Sequence, residues 1–307
     1  MASGSTKAIV AAMIANGGIS IAKFVGFAVT GATSMLAEAV HSVADTGNQA
    51  LLLWGGRAAK KQATSSHPFG YGRERYFWSF VVALVIFTLG SLYALYEGFH
   101  KLKHVGDHGL ESPWVAIGIL AVAIVLECFS FRTAIIESRA VKGDATWWQF
   151  IRQSKTPELP VVLLEDLGAL VGLILALLGV GLSMITHNPI WDAYGTISIG
   201  ILLGVIAVVL VIEMKSLLIG EGVDPEREKQ IVATVNNNAQ VTRLIHMRTM
   251  YVGPEELLIG MKVEFKADLS GKALAEAIDN TETEIRQKVP FARLIYIEPD
   301  LYHEAKG

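Results

Sequence analysis

A single cysteine, Cys128, stands in 307 residues. An intrachain disulfide is therefore excluded, as is a thiolate-rich metal site, and any metal must be held by His, Asp, Glu or Asn. Charge is also scarce. Asp, Glu, Lys and Arg make up 18% of the chain, and the formal net charge of -3 leaves no basic surplus to meet a phosphate backbone, so nucleic acid is not expected as a partner. No His-Glu-x-x-His pair and no activated-nucleophile arrangement occurs, so the chain is not read as an enzyme. Met1 to Thr6 is short and polar, without a basic lead into a cleavable hydrophobic segment, and the first apolar stretch is expected to be a retained helix.

What the chain does have is apolar length. It is 52% hydrophobic with a mean hydropathy of +0.43, too apolar for an ordinary soluble protein of this size. The polarity is uneven: eleven of the 26 Lys and Arg and fifteen of the 29 Asp and Glu lie from Glu221 onward. We therefore expect a transmembrane transport domain over 1–220 and a soluble C-terminal domain over 221–307. Six segments are long enough for a ~30 Å hydrocarbon core, running roughly from Lys7 to Thr30, Ser34 to Ala58, Tyr76 to Phe99, Trp114 to Ile136, Leu159 to Thr186 and Trp191 to Leu218. The expected fold is a membrane all-α bundle of six transmembrane helices followed by a small α+β domain.

Loop charge sets the expected orientation. Arg57, Lys60, Lys61, Arg73 and Arg75 follow the second segment, and Arg132, Arg139, Lys142, Arg152 and Lys155 lie at and after the end of the fourth. The other short connections are poor in base. By the bias of Lys and Arg toward the cytoplasm, both termini are then cytoplasmic, in a plasma (inner) membrane protein. From Asp224 the pattern reads α-β-β-α-β, which predicts a ferredoxin-like open-faced sandwich of helices on an antiparallel sheet. About eighty residues support only a modest core, and such a domain is expected to dimerise.

The most informative stretch is Leu36-Ala37-Glu38-Ala39-Val40-His41-Ser42-Val43-Ala44-Asp45, inside the second apolar segment. A helix repeats every ~3.6 residues, so Glu38, His41 and Asp45 share one face. Ionisable groups inside a membrane span usually line a pathway, because leaving them unpaired in hydrocarbon is costly. The alternative is a His41–Asp45 staple in a soluble core. Asn16 in the first segment and Glu127 in the fourth are further intramembrane candidates, while Lys23, also in the first and a candidate for facing a neighbouring helix, is read as snorkelling to an interface. In the fifth segment the adjacent Glu165 and Asp166 cannot share a face, so one should point at the pathway and the other at a partner helix. His67 reads as a surface histidine in an ordered turn. His100, His104 and His108 read as a solvated loop, and Glu298, Asp300, His303 and Glu304 as a charged tail.

These residues carry a resemblance. The Leu36 to Asp45 run, Asn16 and Lys23, the His67 to Gly72 turn, the six spans and a tail with Arg248-Thr249 resemble the cation diffusion facilitator family of divalent metal/proton antiporters, over nearly the whole chain. The resemblance implies zinc as the first candidate cargo, with manganese, iron or cobalt as alternatives, protons as the counter-substrate, no resident cofactor and a homodimer. It implies metal ligation by His41, Asp45 and Asp166, with Glu165 as a further ligand and Glu38, Asn48, Asn16 and Glu127 in support. The chain departs from the pattern at Val162, where the family carries a ligand four residues before Asp166, and resembles the divergent subset with a Leu-Leu-Glu-Asp run, here Leu163 to Asp166. Tyr296 stands where a His commonly precedes the final Glu-Pro, here Glu298-Pro299, leaving His246 as the candidate for a second metal site in the tail. The competing expectation, motivated by Val162, is a non-transporting membrane scaffold or metal-responsive regulator.

Overall fold

A computed structural model describes residues 3–103 and 113–303, with backbone only for 3–16 and 113. The side chain of Asn16, and His104, His108 and Glu304, fall outside the described residues. The chain divides into two compact units, one of residues 1–58 and 75–215, the other of residues 59–74 and 216–307.

The first unit is helical. α1 (Ser3–Thr30) and α2 (Thr33–Ala58) are joined by a tight turn in which Gly31 has a φ of 64°, a left-handed conformation that glycine adopts without strain. α3 (Glu74–Val85) runs through a π-helical stretch, Ile86–Leu92, into α4 (Tyr93–Lys103). α5 (Pro113–Lys142) follows, then the short α6 (Trp147–Gln153), started by a reciprocal capping box between Thr146 and Gln149. α7 (Glu158–Thr186) and α8 (Ile190–Ile219) complete the unit. Small and branched apolar residues fill the interior, among them Met35, Leu120, Leu173, Ile199 and Leu203. Val122, Val125 and Phe129 of α5 face outward, as suits a surface solvated by lipid.

Six spans are expected from the sequence. Among the described residues, four helical stretches are long and apolar enough to cross a membrane: Glu74–Lys103, Trp114–Lys142, Glu158–Thr186 and Ile190–Ile219. The described apolar part of α1, Gly17–Thr30, is shorter. α2 has the length, at 26 residues, and lacks the apolarity because it carries the polar stripe.

One carboxylate organises the start of α2. Asp192, fully buried in the first turn of α8, accepts hydrogen bonds from the backbone N–H and hydroxyl of Thr33 at 2.8 and 2.9 Å, and from the N–H and hydroxyl of Ser34. It satisfies donors that a helix N-terminus leaves without partners, where the helix dipole also favours negative charge.

In the second unit, α9 (Pro225–Asn237) is capped by Asp224, which accepts from the Arg227 N–H. β1 (Val241–Gly253), β2 (Glu256–Phe265), α10 (Gly271–Lys288) and β3 (Leu294–Pro299) follow. The element order matches the sequence expectation, while the sheet is mixed rather than antiparallel. In the order β1-β2-β3, β1 pairs antiparallel to β2 and β3 parallel to it. The reason is the connection: a hairpin joins β1 to β2, whereas a crossover carrying α10 returns β3 in the direction of β2. Leu257, Ile259, Met261 and Val263 alternate inward against Ile231, Val235, Ala277 and Ile285 of the two helices.

Residues 59–74, between α2 and α3, pack against the β1–β2 hairpin. A Cβ on Gly72 would lie 2.8 Å from the Val252 carbonyl and 2.9 Å from Gly253 Cα, so only glycine fits without moving backbone. Gly72→Val is expected to destabilise the chain by about 1–3 kcal/mol. The check is thermal unfolding of the purified full chain, and an unchanged transition would contradict the contact.

Candidate functional site

The polar face of α2 extends one step further than the histidine motif. Glu38, His41, Asp45 and Asn48 recur at intervals of three, four and three, and Glu38, His41 and Asn48 are essentially inaccessible to solvent. This is the face that α2 turns into the bundle.

α7 supplies the partner. Its N-terminus is held by Arg75, whose guanidinium engages both carboxylate oxygens of Glu158, with Nη2 to Oε2 at 2.8 Å. Two turns on, the adjacent acids diverge. Glu165 accepts a hydrogen bond from the Asn48 amide, Nδ2 to Oε1 2.9 Å, and its carboxyl is within hydrogen-bonding reach of Asp45. Asp166 instead accepts from the Ser130 hydroxyl of α5 at 2.9 Å. Val162, one turn before Asp166, packs with the apolar cluster of Ala134, Phe150 and Leu163. Positions 162 and 166 thus lie on the stripe of α7 that faces α5, and position 165 lies on the stripe that meets α2.

The structure therefore gathers His41, Asp45, Asn48 and Glu165, and sets Asp166 apart from them against Ser130. His41 Nδ1 lies 3.5 Å from Asp45 Oδ1, too long for a strong hydrogen bond, and among the described residues neither ring nitrogen of His41 has a hydrogen-bond partner. Asp45 Oδ1 and Asn48 Oδ1 are likewise unpaired and buried. Buried polar atoms normally find partners, so this concentration of unpaired nitrogen and oxygen atoms marks a place suited to receive a ligand. The π-helical stretch passes the same point, where a Cβ on Gly90 would sit 3.8 Å from His41 Nδ1. Such insertions are frequent at functional sites. Among the described residues, no group of three or more His, Cys, Asp and Glu side chains is close enough to hold a metal ion as it stands. The donors are assembled but not closed, with the Asn48 amide on the Glu165 oxygen that an ion would need.

Beside them lies a second polar group. Lys23 of α1, 2% exposed, donates to Glu38 Oε2 at 3.1 Å and to the Ser42 hydroxyl at 2.7 Å. Lys23 is thus an interior ion-pair partner rather than a snorkelling residue. Glu127 is partly buried and lines a cavity of about 950 Å³ between α1 and α5, together with Gly18, Ala22, Leu126 and Ser130.

In the C-terminal domain His246 is exposed on β1, opposite Lys262 in the register. The tail acids are already engaged. Lys262 Nζ lies 2.7 Å from Asp300 Oδ2 and 3.2 Å from Glu298 Oε1, and the Lys262 hydrogen bond holds the Asp300 carboxyl below the usual range.

Sequence reasoning missed the roles of Ser130, Ser42 and Asp192. The direction in which Asp166 points depends on the rotation of α7, which spacing alone does not give, and hydroxyls carry no distinctive signal in an apolar helix.

The profile of the cation efflux transmembrane domain matches residues 9–219. The mitochondrial proton-coupled zinc antiporter SLC30A9 of Mus musculus is 34% identical over 268 residues, covering 87% of this chain and 46% of that protein. Metal tolerance protein C4 of Arabidopsis thaliana is 29% identical over 271 residues, 86% of this chain and 58% of that protein. The chain thus spans about half the length of the curated relatives it matches. Among solved structures, a nickel form of the MamM C-terminal domain covers 26% of this chain and 100% of its own, at a TM-score of 0.24 and 15% identity.

Proposed function

This chain belongs to the cation efflux family of metal-transporting, multi-pass membrane proteins, and from that premise we propose that it is a proton-coupled divalent-cation exporter, with zinc as the first cargo. The observation that carries the reading is the meeting of His41, Asp45 and Asn48 of α2 with Glu165 of α7 inside an apolar bundle, with both imidazole nitrogens unpaired. Nitrogen and oxygen donors without sulfur suit zinc, and suit manganese, iron or cobalt when water completes the shell. The zinc antiporter among its relatives favours zinc.

Exchange follows from the ligand chemistry. An ion binds neutral imidazole and ionised carboxylates, so loading releases protons and protonation releases the ion. In this reading the ion displaces the Asn48 amide from Glu165, and His41, Asp45 and Glu165 draw together around it. α2 and α7, each carrying part of the donor set, shift against the other helices to expose it alternately to the two sides. Protons returning on the carboxylates spare the empty carrier from moving bare negative charge through hydrocarbon.

The six-span topology with both termini in the cytoplasm, the export direction and the plasma (inner) membrane location belong to the same proposal. Loop charge supports the orientation, and so does the inclusion of residues 59–74, the basic α2–α3 connection, in the same compact unit as the C-terminal domain. We assign the C-terminal domain, over 221–307, to dimerisation and regulation.

Val162 keeps a second reading open, that of a scaffold or regulator which retains the fold without transport. Metal uptake into proteoliposomes under an imposed pH gradient separates the two, since a scaffold gives no flux. In the same assay His41→Asp, which replaces an imidazole with a harder oxygen donor, should move the preference from zinc toward manganese while retaining flux. An unchanged ion ranking would remove His41 from the coordination shell.

A further inference from the structure

Lys23 is the one buried Lys or Arg among the described residues, and it stands in a bundle that also buries Glu38, Glu165, Asp166 and Asp192. Its position is specific. Nζ reaches across from α1 to Glu38 Oε2 and to Ser42 Oγ, and Ser42 adjoins His41 and lies three residues before Asp45. The ammonium is therefore within one helical turn of the α2 half of the site. On its other side Glu38 packs closely against α7 at Gly172, where a Cβ would lie 2.5 Å from Glu38 Oε1. That oxygen is buried and has no hydrogen-bond partner among the described residues. The pair thus lies in the same α2–α7 contact as the site, with Glu38 bonded on one oxygen by Lys23.

Counting formal charge gives this arrangement its meaning. Lys23 and Glu38 cancel. Asp166 is hydrogen-bonded by Ser130 on the α5-facing stripe, and Glu127 lies on α5 itself. The pair therefore adds no net charge to the acids around the α2–α7 contact, Asp45 and Glu165 with Asp166 and Glu127 in electrostatic range of them. In a medium of low effective dielectric, a further unbalanced charge within a turn or two of the site acts strongly on a doubly charged cargo.

We infer that Lys23 and Glu38 are a self-neutralising pair that adds no net charge beside the transport site, and so set its affinity for a divalent cation. The inference rests on the reading of His41, Asp45 and Glu165 as the transport site. Neither residue of the pair touches the cargo; each acts through the field at the site. Neutralising Glu38 leaves the lysine charge facing the site and opposes cation binding, whereas neutralising Lys23 leaves an extra carboxylate and favours it. The two single variants should therefore move affinity in opposite directions, which general damage to packing would not do.

The test is calorimetric titration of zinc into purified full-length protein at one fixed pH, comparing wild type, Asp45→Ala, Glu38→Gln, Lys23→Met and the Lys23→Met/Glu38→Gln double variant. Glu38→Gln should weaken binding by about tenfold or more. Lys23→Met should tighten it, and the double variant should return to within about threefold of wild type, because the pair is removed without leaving a lone charge. Equal weakening in both single variants, or a double variant no better than Glu38→Gln, overturns the inference. If Lys23→Met does not fold, the comparison of Glu38→Gln with the double variant still decides. Unaltered binding in Asp45→Ala would refute the site assignment itself, a result distinguishable from failure of the pair.

Discussion

Glu165→Gln is expected to abolish proton-driven zinc uptake into proteoliposomes, lowering the initial rate on the order of a hundredfold or more, while Asp166→Asn retains most of it. Loss of a partner that merely orients a metal ligand typically costs 10–100-fold, and loss of a ligand should cost no less. The contrast between neighbouring acids is the informative part. Both are buried, and by sequence pattern Asp166 is the expected ligand, four residues after the position occupied by Val162. The orientation of α7 favours Glu165 in our proposal, because Glu165 meets Asn48 and Asp45 whereas Asp166 meets Ser130. Asp45→Ala should match Glu165→Gln. Equal loss in Asp166→Asn and Glu165→Gln would mean that α7 turns during transport so that both acids serve, and retention in Glu165→Gln with loss in Asp166→Asn would contradict the geometry outright.

The second large effect is on stability. Asp192→Ala should lower the thermal unfolding temperature of the detergent-solubilised chain clearly, with a destabilisation of ~3 kcal/mol or more, and Asp192→Asn should fall between. Hydrogen bonds to charged groups contribute about 1.5–3 kcal/mol each, though not additively, and removing the shared acceptor strands buried donors of Thr33 and Ser34. The same carboxylate fixes the start of α2, and with it the rotation that turns His41 and Asp45 inward. A transition within about 2 °C of wild type, small against the roughly 6–12 °C that ~3 kcal/mol would shift, would show the contact to be dispensable.

Much of this was legible in the sequence. The long apolar segments located the helices because some twenty mostly apolar residues in a row have few other fates, and the α-β-β-α-β order followed from the change of hydrophobic period after Asp224. The α2 face was readable because its polar residues are rare against an apolar background and keep a helical spacing. Other features depend on rotation and reach, which one strand of sequence does not encode. The facing of Glu165 and Asp166 is set by how α7 packs between α2 and α5. The parallel direction of β3 is set by the crossover through α10. The interior placement of Lys23 depends on finding Glu38 and Ser42 across a helix contact, without which snorkelling to the interface is the better solution for a lysine. The π-helical stretch beside His41 leaves no signal of its own in a run as uniformly apolar as Ile86 to Leu92.

The most direct test of the central claim is to locate the cargo, by collecting anomalous scattering at the zinc edge from crystals of the full chain grown with zinc. An ion between α2 and α7, about 2.0–2.2 Å from a nitrogen of His41 and from carboxylate oxygens of Asp45 and Glu165, is the predicted result. An ion beside Asp166 and Ser130 instead, or confined to the C-terminal domain while the α2–α7 contact stays unchanged, would contradict it.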